Sequence, residues 1–327
     1  MPPYQKRITV GIPSFNEELN ISRLLQSIIK LNKFESNDLK IQNNSDHKDD
    51  GSVRRETTGE KSFEITEVII SDDSSDNTCR IVDEIAAQNP SLSVKLIHHD
   101  YRRGVSAAWN EIFRNATGDI IVLYDADIII EKNTTAFLVG SIREDIGLCA
   151  SNSKPLISKK SIVTRASVFI ADWLGTVRKI GLSQYTVMGR ALSISSDMAK
   201  RITIPENVIA LDLYIQCKVL EQGTGVHYND NAVIYFKPPD NMFDFSSQII
   251  RAIKGHKQIE HLMRTSCSRL SFRNGLIATL KSIAKDPKGA LCLISCYAVL
   301  PYYDQKLTGA DSSKWYIAKS TKTPGFV

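Results

Sequence analysis

The sequence lacks most of the features that would place it in a specialised class. None of its 327 residues belong to an apolar run of the roughly 20 positions that a membrane-spanning helix needs. Six cysteines (Cys79, Cys149, Cys217, Cys267, Cys292, Cys296) are scattered with no C-x-x-C pair. Neither a disulfide framework nor a zinc knuckle is therefore indicated, and a reducing compartment is expected. Met1 to Val10 has no apolar core flanked by basic residues, so a secretory leader is not expected and the protein is placed in the cytoplasm. Gly11-Ile12-Pro13-Ser14-Phe15-Asn16 stands where a dinucleotide-binding G-x-G-x-x-G would follow a first strand, and no G-x-x-x-x-G-K-[ST] loop occurs. Oxidoreductase and P-loop readings lose their footing. No fixed-period repeat is present either.

What is there suits a folded α/β body. A 42% hydrophobic content with 24% charged residues is enough to build a core. The net charge of +5 is uneven, because residues 241–327 hold 13 lysines and arginines against 5 acidic residues. Such a basic tail suits anionic lipid headgroups at the cytoplasmic face, or is simply a solvated helix surface; nucleic acid is not the expected partner. Within it, Gly289 to Leu300 is apolar, with Lys281, Lys285 and Lys288 before it and Pro301-Tyr302-Tyr303 after it. The stretch is too short to span a bilayer, which leaves two readings, peripheral contact in the membrane interface or a helix packed on the body.

Hydrophobic periodicity predicts β-α alternation. Strands are expected at 7–12, 67–71, 93–97 and 119–124, with helices at 76–88 and 105–116. A further helix after Pro13, capped by Ser14 or Asn16, takes Leu19, Leu24, Leu25, Ile28 and Ile29 as its apolar positions. Near-continuous Val/Ile strands separated by helices imply a mostly parallel, Rossmann-like sheet flanked by helices, with ligands beyond the carboxyl ends of its strands. Residues 34–62 are almost free of large apolar side chains and read as a disordered insertion. The expected organisation is a catalytic domain over 1–260 and a helical, basic C-terminal extension over 261–327.

Acidic residues recur at those strand ends: Asp72-Asp73, Asp125-Ala126-Asp127, and Asp212 after the turn near Pro205. One aspartate after a strand is commonly a turn or cap residue. Several gathered at one sheet edge repel one another unless a cation joins them, which favours a divalent metal.

Three ordered segments, Val10 to Glu18 (VGIPSFNEE), Ile70 to Thr78 (ISDDSSDNT) and Gly118 to Asp127 (GDIIVLYDAD), together resemble the family 2 glycosyltransferases of GT-A fold. The resemblance covers roughly residues 7–260. It implies an inverting transferase that moves a sugar from a nucleotide-sugar donor to a hydroxyl or lipid-phosphate acceptor, such as a glycan, a lipid or a polyprenyl phosphate. It further implies that Phe15 stacks on the nucleotide base beside Pro13, that Asp73 takes the base edge, and that Arg103 lies near the nucleotide. Asp127, with Asp125, is implied to hold Mn²⁺ or Mg²⁺, Asp125 reaching also towards the ribose. Asp212 matches the general base, although Leu211 stands where the family usually has an acidic residue.

On the acceptor side, Gly189 lies in the run Met188 to Ile194, and Gln248-Ile249-Ile250-Arg251-Ala252 resembles the Q-x-x-R-W motif without its tryptophan, which weakens a processive polymerase reading. Other readings stay open at this stage. Phe15 suits a core aromatic or a hydrophobic staple, Arg102 and Arg103 an exposed pair, and Asp212 a helix cap. His98 and His99 are adjacent on an extended chain and point apart, so one shared metal site is not expected of them. His227 reads as a core or surface residue, with a metal ligand, which the resemblance allows from this region, as the alternative. Two rival functions also remain: a sugar-nucleotide nucleotidyltransferase, whose Gly-rich basic first loop is missing, and a non-catalytic nucleotide-sugar binding protein.

Overall fold

The computed structural model describes residues 5–33, 63–157, 160–266, 269–307 and 318–322, so the insertion expected at 34–62 lies outside the described residues. Eight strands form one sheet: β1 (Lys6–Ser14), β2 (Phe63–Asp72), β3 (Ser93–His98), β4 (Ile120–Tyr124), β5 (Ile129–Ile130), β6 (Ile146–Pro155), β7 (Ala191–Ser195) and β8 (Gly225–Phe236). Their order is β3-β2-β1-β4-β7-β6-β8-β5. The first four in that order run parallel, as the alternation predicts, with helices Ile21–Lys33, Thr78–Gln88 and Val105–Asn115 between them in the chain. Leu19 is the one misplaced apolar position. The helix begins only at Ile21, and Leu19 is 55% exposed in the preceding turn.

Alternation along these strands builds two cores. Ile8, Val10, Ile12, Val68, Ile70 and Val122 point to one face, against Leu24, Leu25 and Ile28. Ile69, Ile121 and Leu123 point to the other, against Trp109, Ile112 and Phe113. Gly11 lies on that second face, where an added Cβ would come within 2.5 Å of Ile112 Cγ2, so no larger residue fits between strand and helix.

Beyond β4 the direction changes. β7 pairs antiparallel with β4, Tyr124 opposite Ala191, and β6 antiparallel with β7. Helix Ile162–Ile180 carries the chain between β6 and β7, and the C-terminal helices Phe272–Lys285 and Pro287–Ala298 lean on it. The 289–300 stretch is helical, packed on one side and exposed on the other. Gly289, Ala290 and Cys296 are buried, while Leu291 and Ile294 on the same helix are each 65% exposed. The neighbouring helix likewise exposes Phe272, Leu276, Leu280 and Ile283 at helical spacing.

Candidate active site

The three motif loops leave the carboxyl ends of β1, β2 and β4, which are neighbours in the sheet, so the topology brings Phe15, Asp73, Asp125 and Asp127 to one edge. In the first loop Asn16 adopts a left-handed backbone (φ 54°), a conformation asparagine tolerates. Asn16 N donates to Ser74 Oγ (2.8 Å) and Ser75 N donates to Asn16 Oδ1 (2.8 Å), which ties the loops after β1 and β2 together. Phe15 belongs to neither core cluster. Its half-buried ring has the Arg102 guanidinium 4.5 Å above its centroid, so it is a loop aromatic rather than a core one.

Asp73 and Arg103 meet. Asp73 Oδ2 accepts from the backbone N–H of Arg103 (2.6 Å) and Gly104 (3.0 Å), and Oδ1 from Arg103 Nε (3.1 Å). Three of the roughly four acceptor sites of the carboxylate are thereby filled, leaving one for a ligand N–H. Arg103 continues to Glu111 Oε2 (2.9 Å) and Ser71 Oγ (3.1 Å), and its side chain is only 14% exposed, so it is not an exposed arginine. Glu111 also faces His99 Nε2 (3.1 Å). Although its own burial opposes ionisation, its contacts with Arg103, Ser71 and His99 hold its carboxyl down at about 2.

Around Asp125 and Asp127 the carboxylates are crowded. Burial and the like charges of Asp127 and Glu17 push the Asp125 carboxyl well above the usual carboxylate range, against the opposing pull of Arg190 and Arg251. Glu17 is itself buried and is raised to about 7, by burial first and Asp127 second, even though Lys322 Nζ lies 2.7 Å from its Oε1. Lys322 also donates to the carbonyl oxygens of Phe15 and Asn16. Sequence reasoning singled out neither residue: Glu17 stood inside the first motif with no role attached, and nothing in the chain order connects Lys322 to it.

On the far side, Asp125 N donates to Arg190 O (2.8 Å), and the Arg190 guanidinium sits 4.1 Å over the Phe236 ring with its buried Nε lacking any hydrogen-bond partner among the described residues. Arg251 is lowered to about 10 by burial and by Arg190, while Asp212 and Asp125 both act to keep it charged. This guanidinium thus feels the donor-side and acceptor-side carboxylates together. Asp212 lies in the first turn of helix Leu211–Glu221 but is not its cap, which is Ala210. Its Oδ2 accepts from Gly189 N (3.2 Å) and its Oδ1 from Leu213 N (2.9 Å). Gln248 is on the same helix as Arg251 (Met242–Gln258), one turn earlier and half-buried, and His227 is exposed on β8.

His98 and His99 do turn to different partners, as their adjacency requires. His98 Nδ1 faces Asp72 Oδ2 (2.9 Å) and Cys79 Sγ (3.1 Å) instead. Folding, not local spacing, gathers Asp72, Cys79 and His98 into a group whose side chains could hold a metal ion.

The family model described as glycosyl transferase family 2 matches residues 9–152. Among curated relatives, poly-beta-1,6-N-acetyl-D-glucosamine synthase of Staphylococcus aureus is 23% identical over 202 residues, 59% of this chain and 47% of that protein. Probable glycosyltransferase YdaM of Bacillus subtilis is 21% identical over 261 residues, 77% of this chain and 56% of the relative. The chain thus spans about half the length of the curated relatives it matches. Among solved structures, mannosyltransferase PcManGT from Pyrobaculum calidifontis, in complex with GDP-Man and Mn²⁺, aligns with a TM-score of 0.55 at 19% identity, covering 95% of this chain and 86% of that one. The fold is the GT-A arrangement, with C-terminal helices added.

Proposed function

We propose that this chain, which belongs to glycosyl transferase family 2 and is a glycosyltransferase, moves a sugar from a nucleotide-sugar donor to a hydroxyl or lipid-phosphate acceptor with inversion at the anomeric carbon. The observation that carries the reading is the join at Asp125. There Arg190, with a buried Nε that has no hydrogen-bond partner among the described residues, and Arg251 both act on Asp125, and Arg251 also feels Asp212. The match of residues 9–152 to this family supports a glycosyltransferase over the nucleotidyltransferase alternative.

The residues fit a hard divalent cation. Burial, and after it the like charges that Asp125, Asp127 and Glu17 place on one another, raise two of their pKa values, and oxygen ligands of this kind suit Mn²⁺ or Mg²⁺ when substrate phosphates complete the shell. Asp127 and Asp125 would hold the ion, which when bound neutralises charge on the departing nucleoside diphosphate. Phe15 offers a ring for the base once Arg102 moves aside, and Asp73 keeps one acceptor site for a base N–H. Arg190 and Arg251 add fixed positive charge where the diphosphate develops its negative charge. Asp212, not committed to the donor, takes the proton of the attacking acceptor hydroxyl.

The C-terminal helices bear on the acceptor. Phe272, Leu276, Leu280 and Ile283 form an exposed apolar stripe bordered by exposed Arg273, Lys281 and Lys288, a pattern that suits an anionic bilayer surface. Tyr297, on the adjoining helix, is within the field of Tyr185, whose ring lies 5.5 Å from the His256 ring, and His256 in turn feels Asp212. The exposed apolar stripe with its basic border is what favours a lipid-linked acceptor. No helix among the described residues is long and apolar enough to cross a membrane.

The test is a thermal-shift panel of nucleoside diphosphates with and without Mn²⁺. One base should give a large metal-dependent rise in Tm that Asp127→Ala abolishes. Equal shifts in both proteins would overturn the metal assignment.

A further inference from the structure

Three side chains outside the donor site converge on one point. Asp72 ends β2 and is fully buried, Cys79 lies in the first turn of helix Thr78–Gln88, and His98 ends β3. Cys79 Sγ is 3.0 Å from Asp72 Oδ2 and 3.1 Å from His98 Nδ1, and His98 Nδ1 is 2.9 Å from Asp72 Oδ2. Among the described residues this is the one group of three or more His, Cys, Asp or Glu side chains whose ligand atoms gather closely enough to share an ion.

We propose that Asp72, Cys79 and His98 bind one Zn²⁺ ion that braces the loop after β2, separately from the hard cation of the donor site. The ligand chemistry selects the metal, since a thiolate, an imidazole and a carboxylate together suit zinc and suit Mn²⁺ or Mg²⁺ poorly. The geometry is nearly in place. Ligand atoms around tetrahedral zinc lie about 3.4 Å apart, so the trio has to open by only about 0.4 Å.

Its surroundings match those of a metal site. His98 Nε2, on the far edge of the ring, is 3.8 Å from the exposed Asp100 Oδ1, beyond hydrogen-bond reach but on the side where a carboxylate can turn in to orient the imidazole. Asp72 is held by Ser74, whose N–H donates to Oδ2 (3.0 Å) and whose hydroxyl donates to Oδ1 (2.5 Å). Burial and the Asp72 carboxylate push the Cys79 thiol up in the ion-free protein, so the thiolate would form only with the ion in place. The thiol proton it now donates to Asp72 leaves to solvent when the ion binds. His98 is 37% exposed at its side chain, which gives the ion an entry and leaves the fourth position to water.

The consequence is mechanical. Asp72 precedes Asp73, and Ser74 joins Asp72 to Asn16 beside Phe15, so an ion here would fix the whole base-binding edge while touching no substrate.

Co²⁺ titration of the full chain, with Mn²⁺ present to fill the donor site, tests this. Wild type should develop a thiolate-to-cobalt charge-transfer band in the near ultraviolet that saturates at one equivalent, and Zn²⁺ should bleach it and raise Tm. Cys79→Ser, which keeps a donor to Asp72 and hence the fold, should lose the band and the Tm rise, and His98→Ala should weaken binding by about 100-fold or more. Asp127→Ala should retain the band, which separates this site from the donor cation. No band in wild type, or a band that persists in Cys79→Ser, overturns the proposal.

Discussion

Lys322 Nζ lies 2.7 Å from Glu17 Oε1, so a short helix near the C-terminus delivers a cation into the loop that follows the first strand. The pair does not neutralise the cost of burying Glu17. Its carboxyl is still raised to about 7 because burial and Asp127 outweigh Lys322. A carboxyl that ionises near 4.5 in the unfolded chain and near 7 in the folded one costs stability as pH rises from the first value towards the second. Glu17→Gln should accordingly stabilise the metal-free protein by about 1–3 kcal/mol at pH 8 and by little at pH 4. Thermal unfolding at the two pH values measures it, and an equal effect at both would show that Glu17 is not held protonated. A destabilising group at a sheet edge is what a ligand site looks like before its ligand arrives.

The opposite sign applies to Glu111. Arg103, Ser71 and His99 hold its carboxyl at about 2, so the network contributes stability that is present above about 4.5 and is lost as pH falls towards 2. Glu111→Gln should cost about 1–3 kcal/mol at pH 7, with wild type and variant converging near pH 2 in urea titrations.

Asp212 can be separated from its structural duties. Asp212→Asn keeps one carbonyl oxygen for the N–H groups of Gly189 and Leu213 and loses the other acceptor, at a cost of about 1 kcal/mol. Turnover should fall by about 10²–10⁴ with nucleotide affinity unchanged. Wild-type turnover in a steady-state assay would rule out the base role.

Membrane docking is tested by sedimentation with vesicles. Wild type should co-sediment with phosphatidylserine-containing vesicles and release in salt, each of Arg273, Lys281 and Lys288 contributing about 1 kcal/mol. Leu280→Asp should abolish binding while the variant stays folded, since Leu280 is 57% exposed. Binding retained in Leu280→Asp would place the contact elsewhere.

The parallel half of the fold was legible because β1, β2 and β4 are β-branched runs buried on both faces and followed by amphipathic helices. The antiparallel half was not, since nothing local says that β7 returns against β4. The same division holds for the site. Asp125 and Asp127 announce themselves as a local motif, whereas Glu17–Lys322 and Cys79–His98 are pairs that only the folded chain brings together. Arg103 shows the middle case, where the position was readable but its burial against Asp73 and Glu111 needed the helix and strand to be placed.

The β4–β7 seam has a consequence for how the molecule can move. Tyr124 is opposite Ala191, and one residue further on Asp125 N is bonded to Arg190 O, so the two segments assigned to donor and acceptor in the proposed function are joined through a single sheet. The two halves of the site cannot separate like the jaws of a hinged enzyme without unzipping central strands. On the proposed assignment, substrates would enter and products leave by local shifts of the loops above the sheet, with the Asp125–Arg190 rung kept intact.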